Sequence, residues 1–147
     1  MTRSEIVAKF KKYFGLEEFF CPHIIARFGV SAWNYPSIEL MEVLLWIRTT
    51  LNKPMTINSK RLGYTQRGMR CNCCEMVKSK NYAYLTTHSF GMGVDFDVQG
   101  MTADEVRAWL EAHKDKLPHN IRLESNSTWV HLDIRNETDN KIVYFKG

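Results

Sequence analysis

The chain is 147 residues long, the size of one domain and enough to bury a core without disulfide staples. A hydrophobic fraction of 44% beside 24% charged residues excludes a disordered chain. The net charge of +4 is mild and scattered outside short clusters such as Lys9, Lys11 and Lys12, which argues against a specific nucleic-acid binder and fits a general attraction to anionic polymers, cell wall included.

Met1 to Glu5 run into a charged amphipathic pattern where a secretory signal would place its apolar segment, and no apolar run approaches bilayer thickness. The expectation is a soluble product without a signal peptide or membrane insertion, cytoplasmic at synthesis. Four cysteines in such a chain read as reduced thiols before they read as a disulfide framework.

From Ser4 to Phe14, the residues Ile6, Val7, Phe10 and Phe14 share one helical face, with Gly15 placed to end the helix. Pro36-Ser37 opens a second helix with an apolar stripe of Ile38, Met41, Leu44, Leu45 and Leu51, and Pro54 to Asn58 reads as a short strand. Thr102 to Glu105 is a capping box that starts a helix burying Val106, Trp109 and Leu110. Strand-like runs follow at Gly93–Val98, Asn120–Glu124 and Thr128–Arg135, with Ile142–Phe145 as a candidate edge. Helices first and strands mostly later predict a single α+β domain over 1–147, with a small antiparallel sheet flanked by helices.

The chemistry concentrates in two segments. In Val94-Asp95-Phe96-Asp97-Val98 the alternation sends the apolar residues to the core and both aspartates to a shared polar face. Gly91 and Gly93 permit a tight turn that returns His88 beside Asp95. In Trp129-Val130-His131-Leu132-Asp133 the residues Trp129, His131 and Asp133 share a face, with Trp129 expected at a cleft. A histidine and a carboxylate from one strand-turn segment, with a second histidine from a separate strand, make a three-ligand set for a divalent metal such as Zn2+, leaving a fourth position for water. A hairpin turning at Asn126-Ser127 with a two-residue loop pairs Glu124 with Trp129, on the face of His131, where its carboxylate can take a proton from water. A three-residue loop would turn Glu124 to the other face.

These residues resemble the M15 family of zinc D-Ala-D-Ala peptidases, in the small phage or prophage-borne branch that includes endolysins. The family pattern Ser-x-His-x-x-Gly-x-Ala-x-Asp is met by Thr86, His88, Gly91, Gly93 and Asp95, and its later Trp-x-His strand by Trp129-Val130-His131. The resemblance spans the chain from about the second helix onward and implies a D-Ala-D-Ala peptidase/hedgehog-like fold. It implies zinc held by His88, Asp95 and His131, with Asp97 and Asp133 orienting the ligating imidazoles. Two small-residue departures, Thr86 and Gly93, are tolerable. A third concerns the base: Thr128 stands where the dipeptidase branch has Glu three positions before its final His, so Glu124 is the first candidate for the catalytic base and Asp133 the second. The family's substrate-binding arginine has no matching motif here; Arg70 is the nearest counterpart and Arg67 the next.

The implied function is a zinc metallopeptidase of peptidoglycan stem peptides, cutting either the terminal D-Ala-D-Ala or the L-Ala-D-Glu bond, and acting on the wall after release or in association with a phage. Its rival is a non-catalytic, metal-stabilised module of the same fold that binds cell wall or a phage or partner protein. Cys71-Asn72-Cys73-Cys74 holds a single Cys-x-x-Cys, which Cys21 completes only if the fold brings it near; reduced thiols are the default there. His23, His113 and His119 lack matching ligands in sequence and are expected at the surface.

Overall fold

Thr2 closes a capping box with Glu5 and starts α1 (Arg3–Phe10), whose buried Ile6 and Phe10 begin the core, in the computed structural model covering residues 1–147. The helix ends at Lys11, earlier than its apolar spacing predicts. Gly15 does not cap it; with extended backbone it precedes the short α2 (Leu16–Phe19). Phe14 still reaches the core, stacked on Phe10 at 4.6 Å. Pro22 pre-sets the backbone at the first turn of α3 (Pro22–Phe28), which sequence periodicity is too short to reveal. Ser37 caps α4 (Ile38–Leu51), and six of its residues, from Leu40 to Ile47, are buried. Asn52 closes α4 in the left-handed conformation.

A five-stranded sheet follows, in the order β1-β2-β4-β3-β5. Its strands are β1 (Met55–Thr56), β2 (Gly93–Val98), β3 (Ile121–Ser125), β4 (Val130–Asp133) and β5 (Ile142–Lys146). The sheet is mixed, not antiparallel throughout: β5 runs parallel to β3, in register from Ile121↔Ile142 to Ser125↔Lys146. The chain after Asp133 crosses back through residues 134–141 before pairing, which a two-residue hairpin could not do. Thr102 forms the expected capping box for α6 (Ala103–Ala112). Val94, Phe96, Val98, Leu123, Val130 and Leu132 are buried in the same core cluster as the apolar faces of α4 and α6. The opposite face of the sheet is left to the polar residues. The segment 57–92 between β1 and β2 has α5 (Glu75–Lys78) as its only regular element and meets β2 where the Asp95 N–H donates to the Arg67 carbonyl at 2.7 Å. No helix is long and apolar enough to cross a membrane.

Candidate metal centre

β2 and β4 pair antiparallel with Asp95 directly opposite His131, so the alternation that buries Phe96 and Val130 brings these two polar side chains side by side. His88 arrives from the turn 87–91. The Thr86 hydroxyl accepts the His88 N–H at 3.4 Å, and Gly91 takes φ +65° where the chain presses on Pro36. A side chain at Gly91 would meet both the backbone penalty and the Pro36 Cα. Gly68 fixes the ring itself: His88 Nδ1 donates to its carbonyl at 2.9 Å, which turns Nε2 toward Asp95.

Three ligand atoms then converge. Asp95 Oδ1 lies 2.8 Å from His131 Nδ1, and Asp95 Oδ2 lies 3.4 Å from His88 Nε2. All three groups offer atoms within 4.8 Å of one another. Tetrahedral zinc with nitrogen and oxygen ligands has donor separations of about 3.3–3.5 Å, which the His88–Asp95 contact meets and the His131–Asp95 contact undercuts, so the three groups could hold such an ion. Electrostatics favour a positive charge at this point. Burial opposes a charge on His131, but its hydrogen bonds to Asp133 and Asp95 outweigh that and push its pKa up to about 9. Burial likewise opposes ionisation of Asp95, and the hydrogen bonds from both histidines overcome it, holding the carboxyl well below its usual range. A divalent cation competes with the proton for the His131 Nδ1 lone pair.

Asp133 is fully buried and accepts four hydrogen bonds: from His131 Nε2, from Arg122 Nε and Nη2, each at 2.9 Å, and from the Arg135 N–H at 3.0 Å. Burial would raise its pKa, but these partners lower it. A carboxylate so engaged cannot serve as a mobile base, which corrects its place as second candidate; it orients the His131 ring instead. Asp97 does not join it. Its carboxylate pairs with Arg67 at 2.8 Å, and Arg67 also stacks on Tyr64. That pair removes Asp97 from imidazole orientation and commits Arg67, the second substrate-binding candidate, to a structural contact.

Arg70 is different. It is 5% exposed, carries no salt bridge, and leaves its Nε without a hydrogen-bond partner. Its backbone N–H donates to the His88 carbonyl at 3.3 Å. Burial lowers its pKa while the Asp95 charge raises it, so a buried cation without an anion stands beside the candidate metal set.

The hairpin register also differs from expectation. Arg122 pairs with Asp133 and Leu123 with Leu132, so the connection spans 126–129, and Asn126 takes φ 70°. Continuing that register sets Glu124 opposite His131, not Trp129. The shift is two residues, so the face is preserved. Arg107 holds this turn, donating to the carbonyls of Ser127, Trp129 and Glu124 while pairing with Asp104 at 2.8 Å. Trp129 precedes β4 and is 40% exposed. Glu124 makes no ion pair; Gly147 packs against its carboxylate, and Phe145 stands edge-on to His131 at 5.5 Å.

Arg122, Arg107 and Gly68 were not anticipated from the sequence. Only the alternation of Arg122 with Ile121 and Leu123 marks it as facing the site. His23 is a correction: although exposed, it has matching ligands, because Cys21, His23, Cys71 and Cys74 form a second group that can hold a metal ion. Burial pushes the Cys21 thiol up to about 12.

Gly68 tests the scaffold directly. A Cβ there would overlap the Phe19 carbonyl, whose oxygen accepts the Met69 N–H at 2.7 Å. Gly68→Ala is expected to cost about 1–3 kcal/mol in urea unfolding, the usual range for overpacking. It is also expected to weaken metal binding by displacing the carbonyl that His88 uses; unchanged stability and affinity would refute this role. Comparison with family models, curated proteins and solved structures gave no match to this chain.

Proposed function

We propose that the chain is a zinc-dependent peptidase of the M15 type, hydrolysing an amide bond in peptidoglycan stem peptides. The observation that carries this reading is the convergence of His88, Asp95 and His131 beside the buried, unpaired guanidinium of Arg70. Zinc at such a set supplies polarisation of the scissile carbonyl and an acidified water. The Gly68 carbonyl and Asp133 hold the two imidazoles in the tautomers that ligation requires. Glu124, the carboxylate on this face without a cationic partner, accepts a proton from the attacking water and returns it to the leaving amine. Arg70 receives a substrate carboxylate, such as the one that ends a D-Ala-D-Ala stem. The L-Ala-D-Glu link is the other candidate bond.

Mass spectrometry of peptidoglycan fragments incubated with the zinc-loaded protein, beside a chelated control, tests the reading. A chelator-sensitive cut is expected, and the mass lost names the bond. Uncut fragments with zinc retained would favour the metal-stabilised binding module. Arg70→Gln is expected to raise KM tenfold or more, ~2 kcal/mol for a lost charge-assisted contact, on substrates with the free carboxylate and to have little effect on amidated ones. Equal effects on both substrates would remove Arg70 from carboxylate recognition.

A further inference from the structure

We propose that Cys21, His23, Cys71 and Cys74 hold a second, structural zinc ion that clamps the N-terminal helices to the segment carrying Arg70. This inference does not depend on peptidase activity. The two halves of the site are a Cys-Pro-His at the start of α3 and a Cys-x-x-Cys at the start of α5. Cys21 Sγ lies 3.8 Å from Cys71 Sγ, Cys71 Sγ 3.9 Å from Cys74 Sγ, and Cys74 Sγ 3.5 Å from His23 Nδ1. Tetrahedral zinc with Zn–S bonds of about 2.3 Å and a Zn–N bond of about 2.0 Å sets S···S near 3.8 Å and S···N near 3.5 Å. These three separations match the edges of such a tetrahedron, and all four donor atoms lie within 4.8 Å of one another.

The ligand count separates the two centres. Here the protein supplies four donors, three thiols and an imidazole, which closes the coordination shell as structural sites do. At His88, Asp95 and His131 it supplies three. Cys73, between two of the ligands, is exposed with its sulfur turned to Asn72, so the cluster contains its own control. A disulfide is the competing chemistry for adjacent thiols, yet all four cysteines are free, and any one disulfide would leave a thiol and His23 without a role.

The clamp has a mechanical purpose. Residues 57–92 carry one helical turn and must still hold Arg70 and His88 in place. Backbone bonds already tie this segment to residues 18–21, at Met69 with Phe19 and Cys21 and at Asn58 with Glu18, and the Asn58 side-chain amide donates to the Phe20 carbonyl. A metal closing a loop of fifty residues between Cys21 and Cys71 removes a large part of the freedom such a segment has. Arg70 is the immediate neighbour of Cys71, so the clamp fixes the site of the guanidinium.

Zinc content and cysteine protection in the full-length protein test the proposal. Metal-replete protein is expected to carry about two zinc ions per chain, and a His88→Ala/His131→Ala variant about one. Native alkylation followed by peptide mass spectrometry is expected to label Cys73 quickly and Cys21, Cys71 and Cys74 slowly until a chelator is added. Cobalt loaded into the double-histidine variant is expected to show thiolate-to-metal charge-transfer absorption. The proposal is overturned if the three cysteines react as fast as Cys73 in metal-replete protein, if a disulfide links any two of them, or if the double-histidine variant binds no cobalt through sulfur. Because these readouts use chains with the cysteines intact, they do not depend on whether a cysteine variant folds.

Discussion

Glu124→Gln is expected to lower kcat by about 10²–10⁴-fold, the range a lost general base removes, while zinc remains bound. The other carboxylates on this face of the sheet are already committed. Asp95 belongs to the candidate metal set, Asp97 is paired with Arg67, and Asp133 is fully buried beneath Arg122 and His131. Glu124 alone is without a cationic partner, and the β3–β4 register sets it across from His131. Glutamine keeps the size and polarity of the side chain but cannot take a proton at neutral pH. KM and thermal stability should therefore stay near those of the parent, and zinc content should be unchanged. Steady-state kinetics on stem peptides with metal analysis of the same samples makes the check. An unchanged kcat would mean that the proton leaves by another route, and loss of zinc would mean that Glu124 supports the metal instead.

The polar face of the sheet was legible in the sequence because alternation in β2 and β4 is strict, and strict alternation determines which residues meet. β2 spans Gly93–Val98, the run that alternates, and His88, Asp95 and His131 offer atoms within 4.8 Å of one another. The capping boxes at Thr2 and Thr102 show why helix starts read better than helix ends: an N-cap is a local side-chain bond, whereas α1 ends at Lys11 with backbone bonds alone. What stayed hidden was non-local. The parallel return of β5 has no signature in a short edge strand, and Arg107's three carbonyl bonds join residues about twenty positions apart. His23 and Cys74 are separated by 51 positions. Neither alternation nor motif spacing reaches that far, and the second cluster exists only because the fold sets α3 beside residues 69–74.

The same long-range logic gives Arg122→Leu a large expected effect on stability. Asp133 has no exposed surface, and its charge is balanced by Arg122 in a bidentate pair, both bonds 2.9 Å. Removing the guanidinium leaves a buried carboxylate with the His131 ring and one backbone N–H, and breaking such a pair costs about 3–5 kcal/mol. Arg122 keeps 22% of its side-chain surface and lies 4.2 Å over the Phe145 ring, so leucine retains part of the apolar contact and the lower end of that range is expected. The effect passes to the metal, because Asp133 pulled from its position no longer holds His131 Nε2, and loss of such support weakens metal binding by about 10–100-fold. Arg122→Leu combined with Asp133→Asn separates the two consequences. With the buried charge gone, stability should partly return, while zinc affinity stays low because an amide is a weaker acceptor for the imidazole. Urea unfolding and competitive zinc titration on the single and double variants read both quantities. If Arg122→Leu unfolds within about 1 kcal/mol of the parent and binds zinc as tightly, the pair is a surface contact of the ordinary kind and Asp133 holds His131 without help.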